Sequence, residues 1–130
     1  MKLGYVIVYV PDVAASLRFF ETAFGLKRKF LHESGSYGEI DTGGTTLSFA
    51  AHELGDGNFP DGHVAAHSSK QPLGFEIALV TDDVAAAHVT ALSTGATELT
   101  APVQKPWGQT VSYVRCPDGV LVELCTPIAG

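Results

Sequence analysis

The sequence predicts an α+β fold in which two βαβββ modules pair into a curved mixed sheet, with the helices outside. Three observations support this prediction. The chain has 130 residues, the length of one domain. Residues 4–15 resemble residues 75–86 at a shift of 71, each a strand followed by an acidic residue and an alanine-rich helix start. Residues 43–49 resemble residues 118–124 at a shift of 75, each a turn followed by an alternating strand.

The first module begins with an apolar strand that ends at Pro11. Asp12 is the natural N-cap of the helix that follows, and Gly25 can end it because glycine tolerates positive φ. Apolar side chains recur between these two residues at helical spacing. They are Val13, Leu17, Phe20 and Phe24. Two strands near 27–32 and 37–41 then precede the strand that follows the Gly43–Gly44 turn.

The second module repeats this order. Either Asp82 or Asp83 caps the helix, which runs to Gly95, and strands are expected near 98–100, 110–115 and 120–124. The chain is therefore predicted to be a single domain, 1–130, made of a first module (1–50), a connecting loop (51–73) and a second module (74–130). The connection has no hydrophobic period, and a long loop of this kind is often functional.

Strand alternation separates the helix-facing side chains from those on the opposite face. Val6, Val8 and Val10 suit the helix, which leaves Tyr5, Ile7 and Tyr9 on the other face of the sheet. The same count places Glu76 and Glu123 on the corresponding face of the second module. We expect this face to form a concave binding surface.

Composition excludes several classes of function. The net charge is −6, and the single basic cluster, residues 27–29, follows a helix end, so nucleic-acid binding is not expected. No apolar stretch approaches the roughly 18 residues that a membrane span needs, and the N-terminus has the pattern of a strand and not of a signal peptide. Cys116 and Cys125 are expected to be reduced thiols of a cytoplasmic protein.

Together with the repeat, Trp107–Gly108 and the segment 117–124 resemble the vicinal oxygen chelate superfamily, which includes glyoxalase I, extradiol dioxygenases, fosfomycin-inactivating thiol transferases and bleomycin-resistance binding proteins. The resemblance implies that metal ligands, where present, come from four positions. Here these positions hold Tyr5, Ser48, Glu76 and Glu123. The usual histidines are absent, so no metal cofactor is expected. The alternative is an oxygen-rich Mn²⁺ or Mg²⁺ site on the two glutamates.

Several side chains are candidates for contacting a ligand on the inner face. Aromatic rings give stacking surfaces, and two close carboxyl groups can share a proton and act as an acid/base pair. The candidate ligand-binding residues are Tyr5, Tyr9, Tyr37, Ser48, His52, Glu76, Trp107, Tyr113 and Glu123. Whether the site lies within one chain or between two stays open at this point.

The histidines give a weaker signal. His63 and His67 have the i, i+4 spacing of a helical metal pair, but Pro60 and Gly62 precede them, so a polar loop is expected. His32 and His88 are expected at a strand end and on a helix surface.

These patterns favour a metal-independent binding protein that sequesters a bulky or aromatic small molecule, such as an antibiotic. The alternative is a divergent enzyme, of lyase, isomerase or dioxygenase type, in which Glu76 and Glu123 act as acid/base groups or hold a metal. A homodimer is expected, because the low charged fraction of 17% permits an apolar interface.

Overall fold

A computed structural model describes residues 1–128 of the chain. The fold divides into two compact units, Met1–Ser69 and the remainder from Lys70. The predicted α+β class with two βαβββ modules is confirmed, and each unit contains one four-stranded mixed sheet.

The first unit holds one module followed by two short helical segments. Its elements are β1 (Tyr5–Val10), α1 (Val13–Phe24), β2 (Lys27–Leu31), β3 (Tyr37–Asp41), β4 (Thr46–Ala51), α2 (His52–Asn58) and a 3₁₀ turn (Ala66–Ser68). The strand order is β1-β4-β3-β2. β1 and β4 are parallel, and the other pairs are antiparallel.

The second unit repeats this arrangement. Its elements are β5 (Ile77–Val80), α3 (Val84–Thr94), β6 (Thr97–Gln104), β7 (Thr110–Arg115) and β8 (Leu121–Cys125). The strand order, β5-β8-β7-β6, places β8 where the first unit has β4. The two C-terminal strands of the modules are therefore equivalent, as the shift of 75 residues predicts.

Helix α1 begins and ends where its capping residues predict. The Asp12 carboxylate accepts a hydrogen bond from the amide of Ala15 at 3.0 Å, and Gly25 ends the helix with a φ of 68°. Leu17 and Phe20 are fully buried, and the ring of Phe20 lies 4.9 Å from that of Phe49 on β4. The core of this unit thus lies between α1 and one face of the sheet.

Helix α3 is capped by Asp83, whose carboxylate accepts a hydrogen bond from the amide of Ala86 at 3.0 Å. The expected place of His88 on a helix surface is wrong, because its side chain is only 3% exposed. Its Nδ1 lies 2.9 Å from Ser112 Oγ, and its Nε2 lies 2.7 Å from Glu98 Oε2. Two hydrogen bonds therefore satisfy this imidazole between α3 and the sheet.

The predicted connection contains helix α2, which its residues do not predict, since two of the seven are glycines. Cys116 and Cys125 are free and buried. Within residues 1–128, no helix is both long and apolar enough to cross a membrane.

Candidate functional site

The face of the first sheet that lies opposite α1 carries exposed rings and apolar side chains. On β1, Val8 and Val10 are buried, whereas Tyr5 is 57% and Ile7 45% exposed. Alternation along the strand explains this pattern, and it confirms the predicted division of β1 into two faces. The exposed face is the candidate ligand-binding surface of this unit.

A hydrogen-bonded group of three side chains lies on this surface. The hydroxyl of Tyr37 donates to Oε2 of Glu39 at 2.7 Å, and the hydroxyl of Ser48 lies 2.9 Å from the Tyr37 oxygen. Desolvation raises the pKa of Tyr37, and Glu39 raises it further, whereas the hydrogen bond with Ser48 acts to lower it. The phenol thus stays protonated and fixed in direction.

Ser48 itself does not reach solvent. Its side chain is fully buried, although strand alternation places it on the ligand-facing side of β4. Tyr37 lies next to it, and the ring of Phe30 lies 6.0 Å from the Tyr37 ring. A molecule at this surface would therefore meet the aromatic rings, and Ser48 would act by orienting Tyr37.

The second unit holds a tyrosine and two carboxyl groups. The hydroxyl of Tyr113 donates to Oε1 of Glu123 at 2.7 Å, and the Glu123 carboxyl is also hydrogen-bonded to that of Glu76. Two carboxyl groups can share a hydrogen bond only when one of them is protonated. The three predicted residues Glu76, Tyr113 and Glu123 therefore form one cluster.

Two groups of this cluster, Glu76 and Tyr113, have raised pKa values. Desolvation, followed by the hydrogen bond and the charge of Glu123, raises the pKa of Glu76. The hydrogen bond to Glu123 is the largest cause that raises the pKa of Tyr113, to about 12. Burial and Glu123 also raise the pKa of the Cys125 thiol. The arrangement can hold one proton between two carboxyl groups and present it to a bound molecule.

The two sheets place the carboxylate on different strands. In the first unit Glu39 on β3 is paired with Ser48 on β4, and in the second Tyr113 on β7 is paired with Glu123 on β8. Each unit thus pairs a phenol with a carboxylate. In the first unit both groups lie on the same strand, β3, whereas in the second the carboxylate lies on the neighbouring strand, β8. Glu39 was not among the predicted site residues. The alternation of β3 indicates Glu39, because its neighbours Gly38 and Ile40 are buried and Glu39 lies on the opposite face.

Three further predicted residues have partners outside these hydrogen-bonded groups. Trp107 is 62% exposed in the turn between β6 and β7, where its Nε1 donates to Gln109. Tyr9 packs its ring against Phe59 and His63. His52 begins α2, and its Nδ1 lies 2.8 Å from Nε2 of His63. Burial, then the neighbouring His67 and His63, lower the pKa of His52.

The side chains at the four implied metal positions do not fit a tightly bound transition metal. Tyr5 offers only a phenol oxygen. The Ser48 hydroxyl is buried beside Tyr37. Glu76 and Glu123 are carboxyl ligands, but they already bond to each other and, through Glu123, to Tyr113. Within the second unit, a pair of carboxyl oxygens suits Mg²⁺ or Mn²⁺ better than Zn²⁺ or Ni²⁺.

Comparisons with solved structures show the same fold. A glyoxalase-related enzyme from Fulvimarina pelagi aligns with a TM-score of 0.82 at 19% identity, covering 98% of this chain and 88% of the other. A glyoxalase/bleomycin resistance protein/dioxygenase family enzyme from Burkholderia phytofirmans PsJN aligns with a TM-score of 0.77 at 21% identity, covering 99% and 100%. TioX from Micromonospora sp. ML1 aligns with a TM-score of 0.72 at 18% identity, covering 97% and 98%.

At the level of sequence, no curated protein matches the chain. The pattern of the Glyoxalase/Bleomycin resistance protein/Dioxygenase superfamily matches residues 2–124, which is nearly the whole chain. The resemblance noted in the sequence is confirmed: the chain belongs to the Glyoxalase/Bleomycin resistance protein/Dioxygenase superfamily.

Proposed function

We propose that this protein binds a bulky or aromatic small molecule without a metal ion and sequesters it, as a means of protection against a compound such as an antibiotic. The observation that carries the proposal is the pairing of a phenol with a carboxylate on each sheet, Tyr37 with Glu39 and Tyr113 with Glu123. Such pairs hold rings and polar groups in fixed positions before a ligand arrives. Binding then costs little further ordering of these side chains.

Exposed rings support an aromatic ligand. Tyr5 is 57% and Phe30 43% exposed, and Phe30 lies beside Tyr37. Contacts between aromatic rings add about 0.5–1.5 kcal/mol each beyond the burial of apolar area. A flat molecule that covers these rings would gain both contributions.

The hydrogen bonds of the two phenols support binding without a metal. Each phenol donates a hydrogen bond to a carboxylate, so the polar groups are paired within their own sheet. A ligand carbonyl or amine could replace a water molecule at the remaining lone pairs of the carboxylates. Recognition by this route uses hydrogen bonds and stacking alone.

The first experiment measures ligand-induced stabilisation. The EDTA-treated protein is heated with a panel of aromatic antibiotics, and Tyr5→Ala and Tyr37→Phe are compared with Val89→Ala, an exposed apolar residue on α3. A ligand at 100 times its Kd adds about 2.7 kcal/mol to stability. We expect a stabilising compound whose effect weakens in Tyr5→Ala and is retained in Val89→Ala.

A second experiment measures protection in cells. Expression of the soluble protein in a sensitive host should raise the tolerated concentration of the compound found by the heating experiment. Tyr5→Ala should reduce this protection in proportion to its loss of affinity. Soluble protein that binds no aromatic compound and protects from none would contradict the proposal.

A second candidate function is proton-transfer catalysis. The raised pKa of Glu76 and its hydrogen bond to Glu123 favour it, because a shared proton can be given to or taken from a substrate. Glu76→Gln discriminates between the two functions. An enzyme should lose about 10²-fold or more in kcat, whereas a binding protein should change in affinity only.

We also propose that the chain forms a homodimer. The low charged fraction of 17% supports this, together with exposed apolar side chains outside the proposed ligand surface, such as Val64 and Val80. Exposed apolar surface of this kind is typical of an association face. Sedimentation at micromolar concentration should give the dimer mass, and a monomer alone would contradict the proposal.

A further inference from the structure

Three histidines come together in the first unit, away from the hydrogen-bonded groups described above. His52 begins α2, His63 lies in the loop that follows, and His67 lies in the 3₁₀ turn. The ring centres of His63 and His67 are each 5.1 Å from that of His52. These are three of the five histidines of the chain, brought to one place by residues 52–67.

The separation of the rings matches that of imidazoles bound to one ion. With metal–nitrogen bonds of about 2.0–2.1 Å and a tetrahedral angle, two ligating nitrogens lie about 3.3 Å apart and their ring centres about 5 Å apart. Nδ1 of His52 lies 2.8 Å from Nε2 of His63. Rotation of the rings by a small angle, with little movement of their centres, would therefore admit an ion between these nitrogens.

The hydrogen bond between His52 and His63 leaves polar atoms unsatisfied. Nε2 of His52 and Nδ1 of His63 are buried and have no hydrogen-bond partner. Either direction of the shared hydrogen bond leaves both of these atoms unpaired, and an unpaired buried polar atom costs about 1–3 kcal/mol. If His63 instead gives its Nε2 lone pair to an ion, its Nδ1 carries the proton and points toward Asp56 Oδ1, which is 3.7 Å away. A carboxylate in this position orients many metal-bound histidines.

The local charge also favours a cation. Residues 52–69 contain three acidic side chains, Glu53, Asp56 and Asp61, and no lysine or arginine. His67 is exposed, so an ion can approach from solvent. Gly55 permits the close packing of the His63 ring against α2, because a Cβ at this position would lie 2.7 Å from that ring.

From these observations we propose that His52 and His63, with His67 as a third ligand, bind a divalent cation of the Zn²⁺, Ni²⁺ or Cu²⁺ class. Imidazole is a preferred ligand of these ions. Among residues 1–128, no three His, Cys, Asp or Glu side chains converge on one point as they stand, so His67 must turn its ring when the ion binds. The site differs from the one that the resemblance implies, which uses Tyr5, Ser48 and the two glutamates.

The test is calorimetric titration of the tag-free, EDTA-treated full chain with ZnCl₂ and with NiCl₂. We expect one ion per chain. His52→Gln and His63→Gln should each weaken binding by about tenfold or more. The matched control is His32→Gln, because His32 is exposed and its ring bonds with Ser34 in its own turn. His32→Gln and Glu76→Gln, each as a single variant, should bind the ion as tightly as the unchanged chain does.

A second measurement needs no variant. Addition of Ni²⁺, which is paramagnetic, should broaden the NMR signals of three of the five histidine rings and leave those of His32 and His88 sharp. No binding below millimolar concentration would overturn the proposal. Binding that persists in both His52→Gln and His63→Gln, or that Glu76→Gln abolishes, would also overturn it.

Discussion

The hydroxyl of Tyr113 and Oε1 of Glu123 lie 2.7 Å apart between β7 and β8, where the two residues are direct partners in the antiparallel ladder. The phenol donates a hydrogen bond to the carboxylate, which is also hydrogen-bonded to Glu76. This contact joins the tyrosine to the carboxyl pair, so the ionisation of one group depends on the others.

Tyr113 is therefore expected to ionise at unusually high pH. Its folded pKa is about 12, above the ordinary value of 10, so the contact stabilises the fold fully below pH 10 and is lost as the pH rises toward 12. Absorbance at 295 nm, compared between the unchanged chain and Tyr113→Phe, isolates this phenol from the other three tyrosines. In Glu123→Gln the Tyr113 pKa should move back toward 10. A Tyr113 pKa near 10 in the unchanged chain would contradict the structure.

Glu76→Gln should stabilise the fold at neutral pH. The folded pKa of Glu76 is raised, so its contribution is complete below the unfolded value of 4.5 and is lost as the pH rises through the folded pKa. Glutamine keeps a hydrogen bond to Glu123 without a charge. Thermal unfolding at pH 4 and pH 7 should show a higher Tm for the variant at pH 7 only. The control Glu33→Gln, an exposed residue of the β2–β3 turn, should show no such difference.

Gly38→Ala should destabilise the first unit. A Cβ at residue 38 would lie 2.6 Å from Cδ1 of the buried Leu17 and 3.2 Å from the carbonyl oxygen of Phe30. Overpacking of this kind costs about 1–3 kcal/mol. Urea denaturation measures the loss. Gly44→Ala is the matched control, because nothing lies within 4 Å of its added Cβ, and equal stability of the two variants would contradict the packing described.

His88→Leu should destabilise the second unit by leaving Ser112 unpaired. Ser112 is fully buried and its hydroxyl bonds to His88, whereas Glu98 reaches solvent and can be hydrated. A buried hydroxyl without a partner costs about 1–3 kcal/mol. Adding Ser112→Ala should recover part of this loss, since both polar partners are then gone. Urea denaturation measures the stability of the single and double variants. No recovery in the double variant would contradict a stabilising contact between His88 and Ser112.

Much of the fold could be predicted because local signals agree with tertiary packing. Asp12 and Gly25 enclose a helix whose apolar spacing matches its buried face, and strand alternation places Tyr5 opposite Val8. The same alternation places Tyr113 and Glu123 on one face of the second sheet, and Glu76 directly precedes β5. In these cases a side chain's direction follows from its own strand or helix.

The rest depends on contacts between distant residues. His88 lies on the buried face of α3 with Val84 and Ala91, and the distant partners Ser112 and Glu98 satisfy its imidazole there. Likewise, His52 meets His63 because α2 turns the chain back, whereas the sequence predicted only a polar loop around His63 and His67. Hydrophobic periodicity carries no information about such contacts.

The most direct test of metal-independent binding is the affinity of the unchanged chain for its aromatic ligand in EDTA and in saturating MnCl₂. The ligand is the compound that stabilises the protein most on heating, and its Kd is measured by quenching of tyrosine and tryptophan fluorescence. We predict the same Kd in both solutions, with a weaker one in Tyr5→Ala. Binding that appears only with Mn²⁺ and disappears in Glu123→Gln would contradict the account and assign the site to metal-dependent chemistry.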